Sequence, residues 1–486
     1  MPFLSTLSWI AFFHTVIAVS VIWCVAVRED ISPEARMAWF MAIILFPVGG
    51  YILYYLFGSA RVNDLTRRRY HNTYQHIYQH YAQHAGIRYL GQSQNLSLIA
   101  SSYQAPFRYL TSINKLYPVL NNQAELMPDG DSARTRLIQD IDNASQSVSV
   151  LYYIWLDDHT GKAVAQALIR AAQRGVQCRV LVDAIGSRRF LRSATWKQLQ
   201  QSGVKTGISL PLSPWWVIFL RRPDLRNHRK ITLIDGKITY CGSQNCADEA
   251  FAIKAKYAPW VDIMLRLEGP IVTQTQMLFL ADWMLATHES PSQITLPLTT
   301  IPKKGFPAHI MGGGPTERQY STSQFLVSLI NSAKKTLTIS TPYFVPDAAV
   351  LEALCTVAWQ SVKVTLIFPK RNDSWVVAGV SRCHYNRLLT AGCHIYEYEK
   401  GLLHAKTLTI DGKISLIGST NLDLRSFDLN YENNILLQDE KTTLDILQRQ
   451  QQYIQDSSPV HHEHVQQWSN WRRIWYNLLA TISPIL

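Results

Sequence analysis

The sequence predicts an α/β protein built from two similar sandwich halves related by a pseudo-twofold axis and preceded by an α-helical membrane hairpin. Three observations predict it: two uncharged apolar runs open the chain, strand–helix–strand patterning occurs twice, and a six-position motif appears once in each half. The 486 residues suffice for two or three folding units at roughly 100–200 residues each, which excludes a single small binding module. Apolar residues make up 47% and charged residues 17% of the chain, against about 25% charged in ordinary soluble proteins, so disorder is excluded and membrane contact is favoured. An excess of 47 Lys and Arg over 35 Asp and Glu leaves +12, a balance that suits anionic lipid or nucleic acid. Seven cysteines (Cys24, Cys178, Cys241, Cys246, Cys355, Cys383 and Cys393) form no C-x-x-C pair. A zinc ribbon, a disulfide framework and a thioredoxin-like site are thereby disfavoured.

Residues 1–27 and 37–58 carry no charged side chain. Each run exceeds the ~20 apolar residues that span a bilayer core. A cleaved signal peptide fits the first run poorly, because it lacks a basic leading region and a second apolar run follows after nine residues. The short connection carries Arg28 and Arg36, whereas Arg61, Arg67, Arg68 and Arg69 follow the second run. The basic side faces the cytoplasm, so a multi-pass protein with its large domain at the cytoplasmic face of the inner membrane is expected. Residues 66–84 read as a helix leaving the membrane, with Tyr70, Tyr74 and Tyr78 on one stripe and His76, His80 and His84 on another. Three histidines at this spacing can hold a metal, but a polar packed face is the preferred reading, as it is for His461, His462 and His464.

Residues 137–155 align without a gap on 326–344, an offset of 189. Each copy has an amphipathic helix followed by an apolar strand. A second helix (162–174 and 347–359) and a second strand (177–183 and 363–368) follow, which is the βαβ unit of a layered fold. The expected organisation is membrane helices over 1–60, a juxtamembrane helical segment over 61–125, a first half over 126–290, a Pro-, Gly- and Lys-rich linker over 291–316 and a second half over 317–486.

The chemistry repeats as well. His228-Arg-Lys230 is followed by Asp235, Gly242, Ser243 and Asn245, and His404-Ala-Lys406 by Asp411, Gly418, Ser419 and Asn421. A lone H-x-K carries no weight, but six matched positions in two copies make a specific signal. His and Lys two apart on a strand share a face, so each copy presents an imidazole and an ammonium to one surface. Converging copies would surround a phosphate with the two lysines, the amides of Asn245 and Asn421 and the hydroxyls of Ser243 and Ser419. No ligand set sits nearby, so a site free of metal and cofactor is expected. Asp235 and Asp411 belong to the catalytic motif, yet each precedes Gly between apolar residues, a hairpin-turn signal that makes them framework residues. Better partners for orienting the imidazoles are carboxylates one strand further on, Asp262 in Trp260-Val-Asp262 and Glu432 in Tyr431-Glu432-Asn433.

Two H-x-K-x4-D copies with G-S-x-N tails resemble the phospholipase D superfamily. Together with the N-terminal apolar runs, Thr341-Pro-Tyr-Phe-Val-Pro346 and Asn421-Leu-Asp-Leu-Arg-Ser426, they resemble its bacterial cardiolipin synthase family along essentially the whole chain. The resemblance implies phospholipase D-like halves, phosphatidylglycerol as substrate, cardiolipin and glycerol as products, and a phosphohistidine on the first-copy His228 with His404 as general acid and base. The spacing itself leaves the two histidines equivalent. A hydrolytic phospholipase D and a membrane-bound nuclease of the same superfamily are the rival readings; the membrane hairpin has no evident use on nucleic acid.

The halves differ most before the first motif. Val204 and His228 are 24 residues apart but Cys393 and His404 only 11, and the extra segment includes Pro214-Trp-Trp-Val-Ile-Phe-Leu-Arg-Arg222. Trp beside Arg suits a membrane interface. A second such contact is expected from Trp468, Trp471, Trp475 and Leu478, which recur at helical spacing.

Overall fold

The computed structural model describes residues 2–29, 31, 33–58, 64–84, 89–211, 222, 224–289 and 301–482. The apolar runs form α1 (Pro2–Ala26), α2 (Pro33–Leu45) and α3 (Pro47–Phe57). Where one helix is expected from the second run there are two. Pro47 has no amide hydrogen to continue the first, and Phe46 before it takes a non-helical φ of −134° and ψ of 74°. α2 and α3 fold back on each other, with the Trp39 and Tyr54 rings 5.4 Å apart and Arg28 donating to the Gly58 carbonyl at 2.6 Å. Among the described residues no helix is long and apolar enough to cross a membrane. The expected pair of spanning helices is therefore without support here, and the hairpin present is the shorter α2–α3 pair.

α4 (Asp64–His84) buries Tyr70, Ile77 and Tyr81 and half-buries Tyr74 and Tyr78, so its tyrosine stripe is a packing face. The first half then runs α5 (Gln104–Asn114), β1 (Val119–Leu126), α6 (Gly130–Asp142), β2 (Ser147–Tyr152), α7 (His159–Gln173), β3 (Gln177–Asp183), α8 (Ala194–Gln201) and β4 (Lys205–Ser209). It continues with β5 (Arg226–Asn227), β6 (Lys230–Ile234), β7 (Ile238–Gly242), β8 (Trp260–Val261), β9 (Met264–Glu268) and α9 (Ile271–Thr287). The second half opens with β10 (Phe306–Gly313), α10 (Ser321–Ile330), β11 (Thr336–Ser340), β12 (Phe344–Val345), α11 (Ala348–Trp359), β13 (Lys363–Pro369), α12 (Trp375–Cys383), α13 (Tyr385–Thr390) and β14 (His394–Tyr398). It closes with β15 (Leu402–Leu403), β16 (Thr407–Ile410), β17 (Ile414–Gly418), β18 (Leu422–Asp423), α14 (Leu424–Asp428), β19 (Asn430–Gln438), α15 (Glu440–Gln455), β20 (Ser457–Pro459), α16 (His462–Gln466) and α17 (Asn470–Ile482).

One sheet carries both halves, in the order β20-β14-β13-β11-β16-β17-β19-β10-β1-β9-β7-β6-β2-β3-β4. Leaving aside β20, the order reads alike from either end, and the parallel pairs β2–β3 and β3–β4 correspond to β11–β13 and β13–β14. The central pair, β1 with β10, is antiparallel. β10 falls in the span read as linker and β1 mostly in the juxtamembrane span, because composition averages over the alternate buried Phe306, Ala308 and Ile310. Every residue of β2, which pairs with parallel β3 on one side and antiparallel β6 on the other, is buried, as a strand covered on both sheet faces requires. Val148 and Val150 face α6 and α7, while Leu151 joins α9 in the central core. Asp129, Asp158, Asp347 and Asp439 start α6, α7, α11 and α15 by accepting a backbone N–H two or three residues into the helix.

Candidate active site

Each motif is a hairpin whose parts have separate work. Asp235 and Asp411 occupy its turn at φ 51° and 53°. Their carboxylates point back along the sheet: Asp235 accepts from the backbone N–H groups of Ser145, Gln146 and Ser147, and Asp411 from those of Lys334, Lys335 and Thr336. Each therefore pins its turn to the start of the neighbouring β2 or β11. Asp235→Asn or Asp411→Asn keeps the turn but swaps one acceptor oxygen for a donor. Each is expected to lower stability by roughly 1–3 kcal/mol while leaving turnover per folded molecule within about twofold, as thermal melts and active-site-normalised rates would show. The motif glycines are a matter of space. A Cβ on Gly242 would stand 2.1 Å from the Ile263 carbonyl oxygen, and one on Gly418 2.2 Å from that of Asn433.

The histidines meet carboxylates of the opposite half. β5 pairs with the start of β19, matching Asn227 with Tyr431, so the next residues, His228 and Glu432, lie side by side. β15 pairs with β8, matching Leu403 with Val261, and brings His404 beside Asp262. His228 Nδ1 is 2.9 Å from Glu432 Oε1, and His404 Nδ1 is 2.6 Å from Asp262 Oδ1. With Nδ1–H donated to a carboxylate, Nε2 keeps its lone pair for bonding to phosphorus or accepting a proton. Burial pushes both imidazoles down to about 4, against the pull of Glu432 on His228 and of Asp262 on His404. Burial opposes charge on Asp262 too, yet His404, Lys406 and the Ser243 hydroxyl together hold it down to about 2. Glu432 is likewise lowered, against its burial, by His228, Lys230 and Ser419.

Lys230 Nζ donates to the His228 carbonyl at 2.6 Å and Lys406 Nζ to that of His404 at 2.8 Å. An ammonium has three donors, so two on each lysine remain for a ligand. Burial pushes Lys230 down to about 7 and Lys406 to about 8, with Glu432 and Asp262 opposing, and each lysine feels charge from the opposite half. The two motifs thus share one electrostatic environment.

The hydroxyls expected around a phosphate are turned elsewhere. Ser243 Oγ donates to Asp262 Oδ1 at 2.6 Å and Ser419 Oγ donates to Glu432, so both serve the carboxylates that hold the histidines. Asn421 donates to Ser426 at 3.1 Å and Asn245 accepts from the Ile154 amide at 3.3 Å. The structure also adds residues the motif does not announce. The Tyr153 ring lies 4.8 Å from the His228 imidazole and the Trp260 ring 4.6 Å from that of His404, with Phe251 stacked on Trp260 at 3.9 Å. Arg229, the unspecified middle residue of the first H-x-K, is fully buried on the opposite strand face, paired with Asp282 at 2.5 Å and donating to the Glu432 carbonyl at 3.0 Å. Alternation along the strand signals that inward side, and an arginine there requires a buried acid. Trp215, Trp216 and the rest of the 212–221 segment lie outside the described residues.

A family model described as "Cardiolipin synthase, PLD-like domain" matches residues 137–283 and 326–455, one match in each half, and one described as "Phospholipase_D-nuclease N-terminal" matches 15–59. Cardiolipin synthase A of Edwardsiella ictaluri is 33% identical over 489 residues, covering 100% of this chain and 99% of the relative. The Yersinia pseudotuberculosis protein of that name is 32% identical over 491 residues, with the same coverage. The crystal structure of phosphatidylserine synthase from Haemophilus influenzae Rd KW20 superposes with a TM-score of 0.58 at 16% identity, over 79% of this chain and 98% of that one, and shares the fold. Matched in both repeats and aligned end to end with these relatives, the chain belongs to the bacterial cardiolipin synthases, phosphatidyltransferases of the phospholipase D superfamily.

Proposed function

We propose that the chain transfers a phosphatidyl group from one phosphatidylglycerol to another, giving cardiolipin and glycerol through a phosphohistidine. The observation that carries this reading is the pair of carboxylate-held imidazoles in the field of both lysines. His228 Nε2 attacks phosphorus while Lys230 and Lys406 hold the phosphate oxygens. Assigning His228 as nucleophile follows the family pattern, and the complete burial of Glu432 suits a histidine that must keep one tautomer while bonded to phosphorus. The entering phosphodiester brings negative charge that raises the neighbouring imidazoles, so His404 takes up the proton it then delivers to the departing glycerol oxygen. His404 next removes the proton from a primary hydroxyl of the second phosphatidylglycerol, whose oxygen attacks phosphorus and releases His228. The phosphorus–nitrogen bond conserves the group-transfer potential, so no nucleotide takes part. Water in place of the second lipid would yield phosphatidic acid.

The reciprocal strand order and crosswise contacts support a pseudo-twofold relation between the halves. Membrane embedding of residues 2–58 is supported by exposed apolar side chains such as Trp23, Phe46 and Val48. The four arginines that follow the second apolar run, Arg61, Arg67, Arg68 and Arg69, support a cytoplasmic position for the catalytic halves.

The reading is tested by incubating the purified chain in detergent with phosphatidylglycerol labelled in its terminal glycerol. Cardiolipin with free glycerol is expected; phosphatidic acid as sole lipid product would assign hydrolysis instead. A pH dependence follows from the lysines. Both are charged below about pH 7, Lys230 loses its proton near 7 and Lys406 near 8, and only the charged forms attract an anion. Affinity for tungstate as a phosphate analogue should therefore fall with rising pH, by at least about tenfold per unit above 8, measured by competition. Constant affinity through this window would remove the lysines from phosphate binding.

A further inference from the structure

We propose that α12 and α17 together form a second lipid-docking surface, which seats the catalytic halves on an anionic leaflet. The proposal rests on the phosphatidyl-transfer reading only in using turnover as one of its readouts.

α17 has two apolar faces and uses one. Leu479 and Ala480 pack with Val376, Val377 and Val380 of α12 and with Val345, and a Cβ on Gly379 would stand 2.3 Å from Leu479 Cδ1, so the two helices fit closely. The other face carries Trp471, Ile474, Trp475 and Leu478, spaced as one helical stripe, with exposures of 81, 47, 51 and 57%. α12 extends it: Trp375, 64% exposed, stacks on Trp475 with ring centroids 6.0 Å apart and planes 12° apart. Trp468, expected on this stripe, packs instead against Tyr385 and Tyr476 and lies outside it.

A leaflet of anionic lipid is the occupant that the charges select. Residues 465–486 contain no Asp or Glu, while Arg472 and Arg473 adjoin Trp471. The Arg472 guanidinium rests 4.3 Å over the Trp468 ring and donates to the Tyr476 hydroxyl at 3.0 Å, on the flank of the stripe. The stripe is two helices wide, apolar at its centre and basic at its edge, as an interfacial helix pair requires.

Its position ties it to the site. Ser374 caps α12, and the preceding Asp373 accepts a hydrogen bond from Tyr343 at 2.8 Å and an ion pair from Lys254 of the first half. Asp373 also acts on Lys406 through space. A lipid lying against Trp375 would therefore sit two residues along the chain from Asp373, where the second half meets Lys254 of the first.

The test uses the full-length chain carrying Trp375→Ser, Trp471→Ser and Trp475→Ser, positions whose exposure leaves the fold intact. Expected is a loss of roughly tenfold in turnover on phosphatidylglycerol in phosphatidylcholine vesicles, with less than about twofold change on a short-chain, monomerically dissolved phosphatidylglycerol. Vesicles of brominated lipid should quench wild-type tryptophan emission more than that of the variant, a readout independent of activity. Quenching without cardiolipin formation from either substrate would fail the transfer reading and sustain the surface. Equal quenching of both proteins, equal loss on both substrates with a lowered melting temperature, or a change in oligomeric size in detergent would each overturn it.

Discussion

His228→Ala is expected to abolish cardiolipin formation and phosphatidate release together, on the order of 10⁵-fold or more, because both products pass through the same phosphorus–nitrogen bond. The loss should exceed anything a change in binding produces, since lysines 230 and 406 still attract the lipid head. His404→Ala differs in kind. The leaving glycerol then departs unprotonated and natural turnover collapses, but an ester with a good leaving group needs no acid and should still phosphorylate His228. The label then accumulates, because no base activates the second hydroxyl. Rapid quench with radiolabelled ester and peptide mapping under alkaline conditions distinguishes the two variants. Label on His404 in the wild-type chain would reverse the assignment.

Glu432→Gln is expected to lower turnover by about 10³-fold or more while the protein stays folded, by analogy with neutralising the carboxylate that fixes a catalytic histidine's tautomer. The amide keeps the shape and can still meet Ser419 and Asn430, but it presents a donor or a weak acceptor to His228 Nδ1 in place of a carboxylate. Asp262→Asn should do the same to His404. The exchange of partners makes the pair diagnostic. Glu432→Gln, a change in the second half, should suppress labelling of the first-half His228 even by an activated ester, whereas Asp262→Asn should spare that labelling and block its discharge. Labelling at the wild-type rate in Glu432→Gln would remove the orienting role.

Much of this site can be read from residue order alone, because its chemistry sits in short local patterns. H-x-K on a strand sets side chains on one face, Asp-Gly marks a turn, and a repeated motif announces a repeated fold. Glu432 and Asp262 are visible as carboxylates one strand beyond each motif, but not which histidine each serves. That depends on the two-residue pairings β5–β19 and β15–β8, which join distant segments and leave no periodicity in either. β10 was hidden by the prolines and glycines that surround its three alternating apolar residues. Pro47 is plain in the sequence, yet hydropathy averaged over residues 37–58 conceals the break it makes. Trp468 shares helical spacing with Trp475 but precedes α17, so spacing placed it on a face where the chain had not yet become that helix.

The crosswise partners also set a clock on synthesis. His228 and Glu432 are 204 residues apart, and His404 and Asp262 are 142 apart. A ribosome adding about 5–20 residues per second exposes the first histidine for roughly 10–40 s before its carboxylate exists. Through that interval the nascent chain already carries one whole motif but lacks the carboxylate that its imidazole meets in the finished fold. Under the proposed mechanism an unfinished chain therefore cannot spend lipid on water, because competence arrives only when β19 enters the sheet, with both halves present.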